Sequence, residues 1–72
     1  MDRQIRLLDV VAVVTDLPQH GLVHGHVGTV VEALGADMFE VEFSDEEGRC
    51  YAQVPLPGSL LVVLRHKPVK AV

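Results

Sequence analysis

The stretch LPQHGLVHGHVGTVVE, residues 17–32, decides how the chain is expected to fold. Before Val27 the stretch carries one proline and two glycines, residue types that interrupt regular structure and favour an ordered loop. From Val27 onward β-branched residues dominate, which is typical of a strand. Gly28 within that strand predicts a bulge or the close approach of another backbone. We therefore interpret the stretch as a long loop that leads into a strand.

Four other segments have the composition of strands. The strand that follows the loop is expected at residues 27–33, and the others are residues 9–14, 38–43, 49–54 and 60–64. Residues 38–43 give the clearest pattern, because apolar and acidic side chains alternate there with the period of a strand. In the fourth strand the same alternation predicts an inward face made of Cys50, Ala52 and Val54. The five segments together predict an all-β protein with an aliphatic core.

The connections between these segments favour one architecture. Residues 44–48 are an acidic hairpin turn in which Gly48 is available for a positive φ. Residues 55–59 are expected to form a short 3₁₀ turn. A long first loop, a tight hairpin and a 3₁₀ turn before the last strand are the order of a small five-stranded SH3-like barrel, and we expect that barrel to cover residues 9–64.

The two ends of the chain are expected to lie outside the barrel. Residues 1–8 could form a helical turn or extend the first strand, and in either form they would pack on the barrel or lengthen it. Residues 65–72 are interpreted as a polar, disordered tail.

Composition limits the classes of function. A chain of 72 residues forms one domain and buries only about 60% of the surface that its unfolded form exposes. The formal net charge of −4 disfavours binding to a nucleic-acid backbone, which normally requires a basic surface. The single cysteine fits a reducing compartment. With no signal-peptide pattern and no apolar run of about 20 residues, the sequence predicts a cytoplasmic protein without a membrane segment.

Five parts of the sequence carry a resemblance to a known family. They are Leu8-Asp9-Val10-Val11-Ala12, Asp16-Leu17-Pro18 with His20-Gly21-Leu22, Gly25-His26-Val27-Gly28-Thr29-Val30-Val31-Glu32, Phe39-Glu40-Val41-Glu42-Phe43 and Asp45 with Gly48-Arg49. On these residues the chain resembles a small bacterial family that is catalogued as domain of unknown function 4926, and the resemblance covers about residues 5–64. It implies an SH3-like barrel and a role as the small partner of another protein. The pattern DLPxHGL followed by GxVGTVVE, residues 16–22 and 25–32, is also similar to SH3-like domains in accessory subunits. Examples are the nitrile hydratase β-subunit and the small subunit of ferredoxin–thioredoxin reductase. The resemblance carries no activity with it.

Three histidines in the opening stretch form a candidate metal site. His20, His24 and His26 follow the spacing H-x₃-H-x-H, and Asp16 or His66 could supply a fourth ligand. Neutral imidazoles bind Zn²⁺, Ni²⁺ and Cu²⁺ well. The alternative interpretation is a solvated loop, because the chain has no pair of cysteines of the kind that completes many structural zinc sites. Of the three histidines, only His20 falls on a position where the family pattern has one.

The remaining patterns favour a binding protein over an enzyme. No serine–histidine–acid set and no phosphate-binding glycine loop stands out, and no cofactor is expected. The first and last strands are apolar throughout, which indicates that both of their faces, or an edge, are covered, either by residues 1–8 or by a second protein chain. We therefore expect a protein-interaction module that contacts a partner, or a second copy in a homodimer, or a larger enzyme as an accessory subunit. The residues expected in that contact are Val11, Val13, Leu61, Val63, Glu40 and Glu42.

Overall fold

The computed structural model of the chain describes residues 4–64. Five strands run in the order β1 (Val10–Val13), β2 (Val27–Gly35), β3 (Met38–Ser44), β4 (Cys50–Pro57) and β5 (Leu61–Val63). Two 3₁₀ turns, Pro18–His20 and Gly58–Leu60, lie before β2 and β5. Within the described range there is no α-helix, and hence no helix long and apolar enough to cross a membrane. The prediction of an all-β protein with five strands is confirmed.

The strands form one antiparallel sheet in the order β4-β3-β2-β1-β5. β1 pairs with both β2 and β5, so the first and last strands are neighbours as the SH3-like order requires. β4 and β5 are the two edges of the sheet, and across the described residues no pairing joins them. The sheet is therefore open in its hydrogen bonding.

One face of this sheet builds the core. The buried cluster consists of Val11, Val13, Leu17, Leu22, Val30, Val41, Phe43, Leu56 and Leu61. Leu17 and Leu22 come from the long loop and pair with each other through an isolated β-bridge. These two leucines anchor the loop to the core and keep it ordered. The sequence predicted an ordered loop here from its proline and glycines.

Gly28 allows β2 and β3 to approach each other. Its φ is not positive, and the residue is buried opposite Phe43. A Cβ on Gly28 would lie 2.8 Å from the carbonyl oxygen of Glu42 and 2.8 Å from atoms of Val41 and Phe43. The prediction of a close approach at Gly28 is thus confirmed, and the reason is contact rather than backbone conformation.

The fourth strand is longer than predicted, and the 3₁₀ turn begins later. β4 continues through Pro55 and Pro57, which lie opposite Glu40 and Met38 of β3. Proline has no N–H to donate, so it is tolerated on an edge strand at positions that point away from the neighbour. Both prolines occupy such positions, and the 3₁₀ turn moves to residues 58–60.

The prediction that Cys50 faces inward is wrong. Phe43 pairs with Ala52, whereas the next residue of β3, Ser44, pairs with Cys50, so Tyr51 is an extra residue on β4. Such a β-bulge interrupts the alternation of side chains. Ala52 and Val54 pack against the core as predicted, and Cys50 beyond the bulge is an exposed free thiol.

The described residues before β1 form a β-turn, which is neither the helical turn nor the strand extension considered from the sequence. The N–H of Asp9 donates to the carbonyl oxygen of Arg6, and Leu8 has a φ of 71°. Leu8 also donates its N–H to Val30 of β2 at 2.7 Å, and Ile5 packs against the core. The tail predicted for residues 65–72 lies outside the described residues.

A two-residue turn joins β2 to β3, and its backbone conformation is strained. Ala36 and Asp37 have φ values of 52° and 62°, a conformation that costs an L-residue about 1–2 kcal/mol. Glycine avoids this cost but gives back about 0.5–1 kcal/mol through its greater freedom in the unfolded chain. We expect Ala36→Gly to raise the free energy of unfolding by up to about 1 kcal/mol, measured by urea denaturation. Ala33→Gly, in the extended part of β2, is the control and is expected to destabilise; a loss in both variants would contradict the strain.

Candidate interaction surface

The predicted histidine site does not assemble in the long loop. His20 ends the first 3₁₀ turn, and His24 lies in an exposed turn before β2. His26 is half-buried, and its Nδ1 lies 3.3 Å from the N–H of Val23 and 3.4 Å from the hydroxyl of Tyr51. Among residues 4–64, no three His, Cys, Asp or Glu side chains come together in a group that could hold a metal ion.

Of the two residues proposed as a fourth ligand, only Asp16 lies in the described part of the chain. Asp16 accepts a hydrogen bond from the backbone N–H of His24 at 2.8 Å, so its carboxylate is used to shape the loop. His66 lies outside the described residues. The histidines of this loop are therefore placed by local hydrogen bonds, and His26 connects the loop to Tyr51 of β4 with the rings 6.3 Å apart at the edge-on angle of 74°.

Most of the predicted partner surface lies in the core. Val11, Val13 and Leu61 are 0%, 1% and 8% exposed, and Val63 packs against the same cluster. Val11, Val13 and Leu61 were predicted to contact a partner, but in the structure they lie on the core face of β1 and β5. Side chains alternate along a strand, so the residues between these positions form the opposite face. Glu40 and Glu42 do lie on that opposite face, and both are half-buried.

The face of the sheet away from the core has an apolar half. Directly paired residues share a face, and Ala12 of β1 is opposite both Val27 of β2 and Val62 of β5. Val10 lies beside them on the same side of β1, since Val11 and Val13 point into the core. Val27, the first residue of β2, is 46% exposed, whereas Val10 and Val62 are half-buried and Ala12 is 8% exposed. We call Val10, Ala12, Val27 and Val62 the apolar strip.

An acidic half adjoins the apolar strip. Thr29 of β2 pairs with Val10 on one side and with Glu42 on the other, so the strip continues directly into the outer face of β3. One step along, Glu40 is opposite Glu32. Like charges at opposed positions of a sheet destabilise it. The three carboxylates of Glu32, Glu40 and Glu42 therefore form an acidic row whose mutual repulsion a cationic group would relieve.

The acidic hairpin between β3 and β4 is satisfied by its own contacts. Asp45 Oδ1 accepts hydrogen bonds from the N–H groups of Glu47 and Arg49, each at 2.9 Å. The guanidinium of Arg49 pairs with the carboxylates of Asp45 and Glu47, and Gly48 has the positive φ that the turn requires. Because these ion pairs are exposed, they contribute little stability. The hairpin is therefore explained as a turn, without a ligand.

Sequence reasoning missed the residues that form the apolar strip. The run VVAVV in the first strand has valine at nearly every position, so its composition cannot tell one face from the other. The position of Gly28 offered a signal. Gly28 must face the crowded core side of β2, which places Val27 and Thr29 on the outer side.

Comparison with known proteins finds one matching family. The domain of unknown function DUF4926 matches residues 7–63, which is most of the chain and includes all five strands. No curated protein matches the chain, and no solved structure matches it. The match to the family confirms the resemblance seen in the sequence: the chain belongs to the DUF4926 family.

Proposed function

We propose that this chain is a non-enzymatic protein-interaction module that binds another bacterial protein in the cytoplasm as its small partner. The observation that supports this most strongly is the outer face of the sheet. There the apolar strip lies directly beside the acidic row, so that one surface offers both apolar contact and negative charge. Apolar area that would leave water on binding supplies affinity, and charge supplies orientation and selectivity.

The arrangement of strands supports an SH3-like barrel as the scaffold. The long loop between β1 and β2 and the 3₁₀ turn before β5 are features that the sequence predicted for that architecture, and β1 lies beside β5 in the sheet, as such a barrel requires. Such a scaffold holds the outer face of β1, β2 and β5 as a curved, rigid surface. Binding to it requires little reordering of this chain.

The chemistry of the surface specifies the partner. Its contact surface presents an apolar stripe to Val10, Val27 and Val62, with lysine or arginine side chains beside the stripe to meet Glu40 and Glu42. A large enzyme that uses the chain as an accessory subunit would satisfy the same description. A second copy of the chain fits less well, since two chains of net charge −4 would bring like charges together.

Val27→Asp tests this proposal. The tagged chain is expressed in its own organism and recovered with bound proteins, which are quantified by mass spectrometry. An aspartate in the centre of a buried apolar contact costs several kcal/mol, so we expect at least about a tenfold loss of the specific partner. The matched control is Leu34→Asp. Leu34 is 44% exposed on the same strand, seven residues and about 23 Å from Val27.

The outcomes of this experiment separate the alternatives. A protein that is lost with Val27→Asp and kept with Leu34→Asp supports the proposal, and its sequence must carry the basic and apolar contact surface. Equal recovery with both variants would contradict it. A chain that recovers only its own untagged copy through Val27 would replace the proposed partner with a homodimer.

A further inference from the structure

A groove lies at the end of the sheet where β2 turns into β3. It has a volume of about 540 Å³ and is lined by Gln4, Ile5, Asp37, Phe39, Gly58 and Ser59. Three parts of the chain meet there: the segment before β1, the strained turn with Asp37, and the 3₁₀ turn that starts at Gly58. The groove does not involve the apolar strip.

The groove combines an apolar floor with one carboxylate. Ile5 and Phe39 are half-buried and pack against the core, so their remaining surface forms apolar walls. Asp37 is held in place by its backbone, because its carbonyl oxygen accepts the N–H of Gly58 at 2.9 Å. The side chain leans over the same glycine: a Cβ on Gly58 would lie 2.9 Å from Asp37 Oδ1 and 3.2 Å from Phe39 Cε2. Glycine thus leaves open the space between carboxylate and ring.

The carboxylate of Asp37 has no cationic partner in the described part of the chain. Between residues 4 and 64 the ion pairs are those of Arg49 in the distant hairpin. A carboxylate beside apolar walls matches a side chain that has an apolar stem and a cationic end, as lysine and arginine do.

We propose that this groove takes a lysine or arginine side chain of the partner, with the methylene stem against Ile5 and Phe39 and the cationic end at Asp37. This inference rests on the proposed function, since it assigns one group of the same partner to a second contact. It is consistent with the sign of the acidic row. It can be tested on the isolated chain without the partner.

The test uses small probes and the ¹⁵N-labelled full chain at low ionic strength. N-acetyl-arginine amide and N-acetyl-lysine amide are expected to shift the amide signals of Phe39, Gly58 and Ser59 saturably, with a Kd on the order of 1 mM. N-acetyl-norleucine amide has a stem without the charge and is expected to bind about fivefold more weakly. Salt should weaken the binding of the charged probes only.

Two variants and one control make the result specific. Asp37→Asn removes the charge and keeps the turn, since asparagine adopts positive φ readily, and is expected to weaken the charged probes about fivefold. Gly58→Ala places a methyl group in the groove and is expected to weaken the binding of all three probes. Glu46→Gln removes one exposed negative charge from the hairpin and is expected to leave binding unchanged.

Several outcomes would overturn the inference. These are equal affinity for norleucine and arginine probes, equal effects of Asp37→Asn and Glu46→Gln, or signal shifts away from the groove. The apolar strip is tested independently, because Val27→Asp leaves the groove intact. If the groove fails while recovery of the partner still depends on Val27, the proposed function stands; if the probes bind and no partner depends on Val27, only the groove stands.

Discussion

Replacing Phe43 by alanine is expected to remove most of the folded population of this chain. Phe43 is fully buried and is the largest of the fully buried side chains in the described core. Phenylalanine-to-alanine changes in a core cost about 3–5 kcal/mol, because apolar contact is lost and a cavity remains. Small domains lie near the lower end of the usual 5–15 kcal/mol of stability, so the loss is comparable with the whole.

Urea denaturation followed by circular dichroism measures this loss. Phe39→Ala is the matched control on the same strand, because Phe39 is only half-buried and is expected to cost clearly less. If the two variants lost equal stability, Phe43 would not be the centre of the core. If Phe43→Ala unfolded with an unchanged midpoint, the core described here would be wrong.

Gly28→Ala is expected to have the second-largest effect, and it acts through crowding. The added methyl group would lie 2.8 Å from the backbone oxygen of Glu42, and a backbone atom inside a sheet cannot move aside alone. Overpacking of this kind costs about 1–3 kcal/mol. In a domain of this size each kcal/mol lowers the melting temperature by about 4–8 °C, so scanning calorimetry would detect the change readily.

Gly58→Ala provides the comparison for this crowding. Its Cβ would meet the side-chain atoms of Asp37 and Phe39 rather than backbone, and the end of an exposed aspartate can rotate away. We expect a loss of stability well below that of Gly28→Ala. Equal losses would indicate that the removal of glycine, and not the contact with β3, determines the effect at Gly28.

The fold was readable from the sequence where one strand face is polar. The alternation of Phe39, Val41 and Phe43 with Glu40 and Glu42 predicts both the strand and its inward face, and the structure confirms it. Turn residues were equally informative, since Gly48 has the positive φ predicted for the hairpin. These signals are local, and a single chain carries them without knowledge of its neighbours.

The features that were missed depend on pairing between strands. The bulge at Tyr51 exists only in relation to β3, so the alternation alone placed Cys50 inside. The two prolines of β4 are tolerated because that strand is an edge, which the sequence of β4 does not state. The same holds for the surface: in β1 and β5 both faces are apolar, and only the register assigns Val11 and Leu61 to the core.

The assignment of the outer face as the interface is tested most directly by the methyl signals of valine. The ¹³C-methyl spectrum of the chain is recorded with and without a saturating amount of the protein recovered through Val27. We predict that the methyl signals of Val10, Val27 and Val62 shift or broaden, while those of the buried Val30 and Val41 stay in place. Unchanged signals for Val10, Val27 and Val62 in the saturated complex would contradict the account.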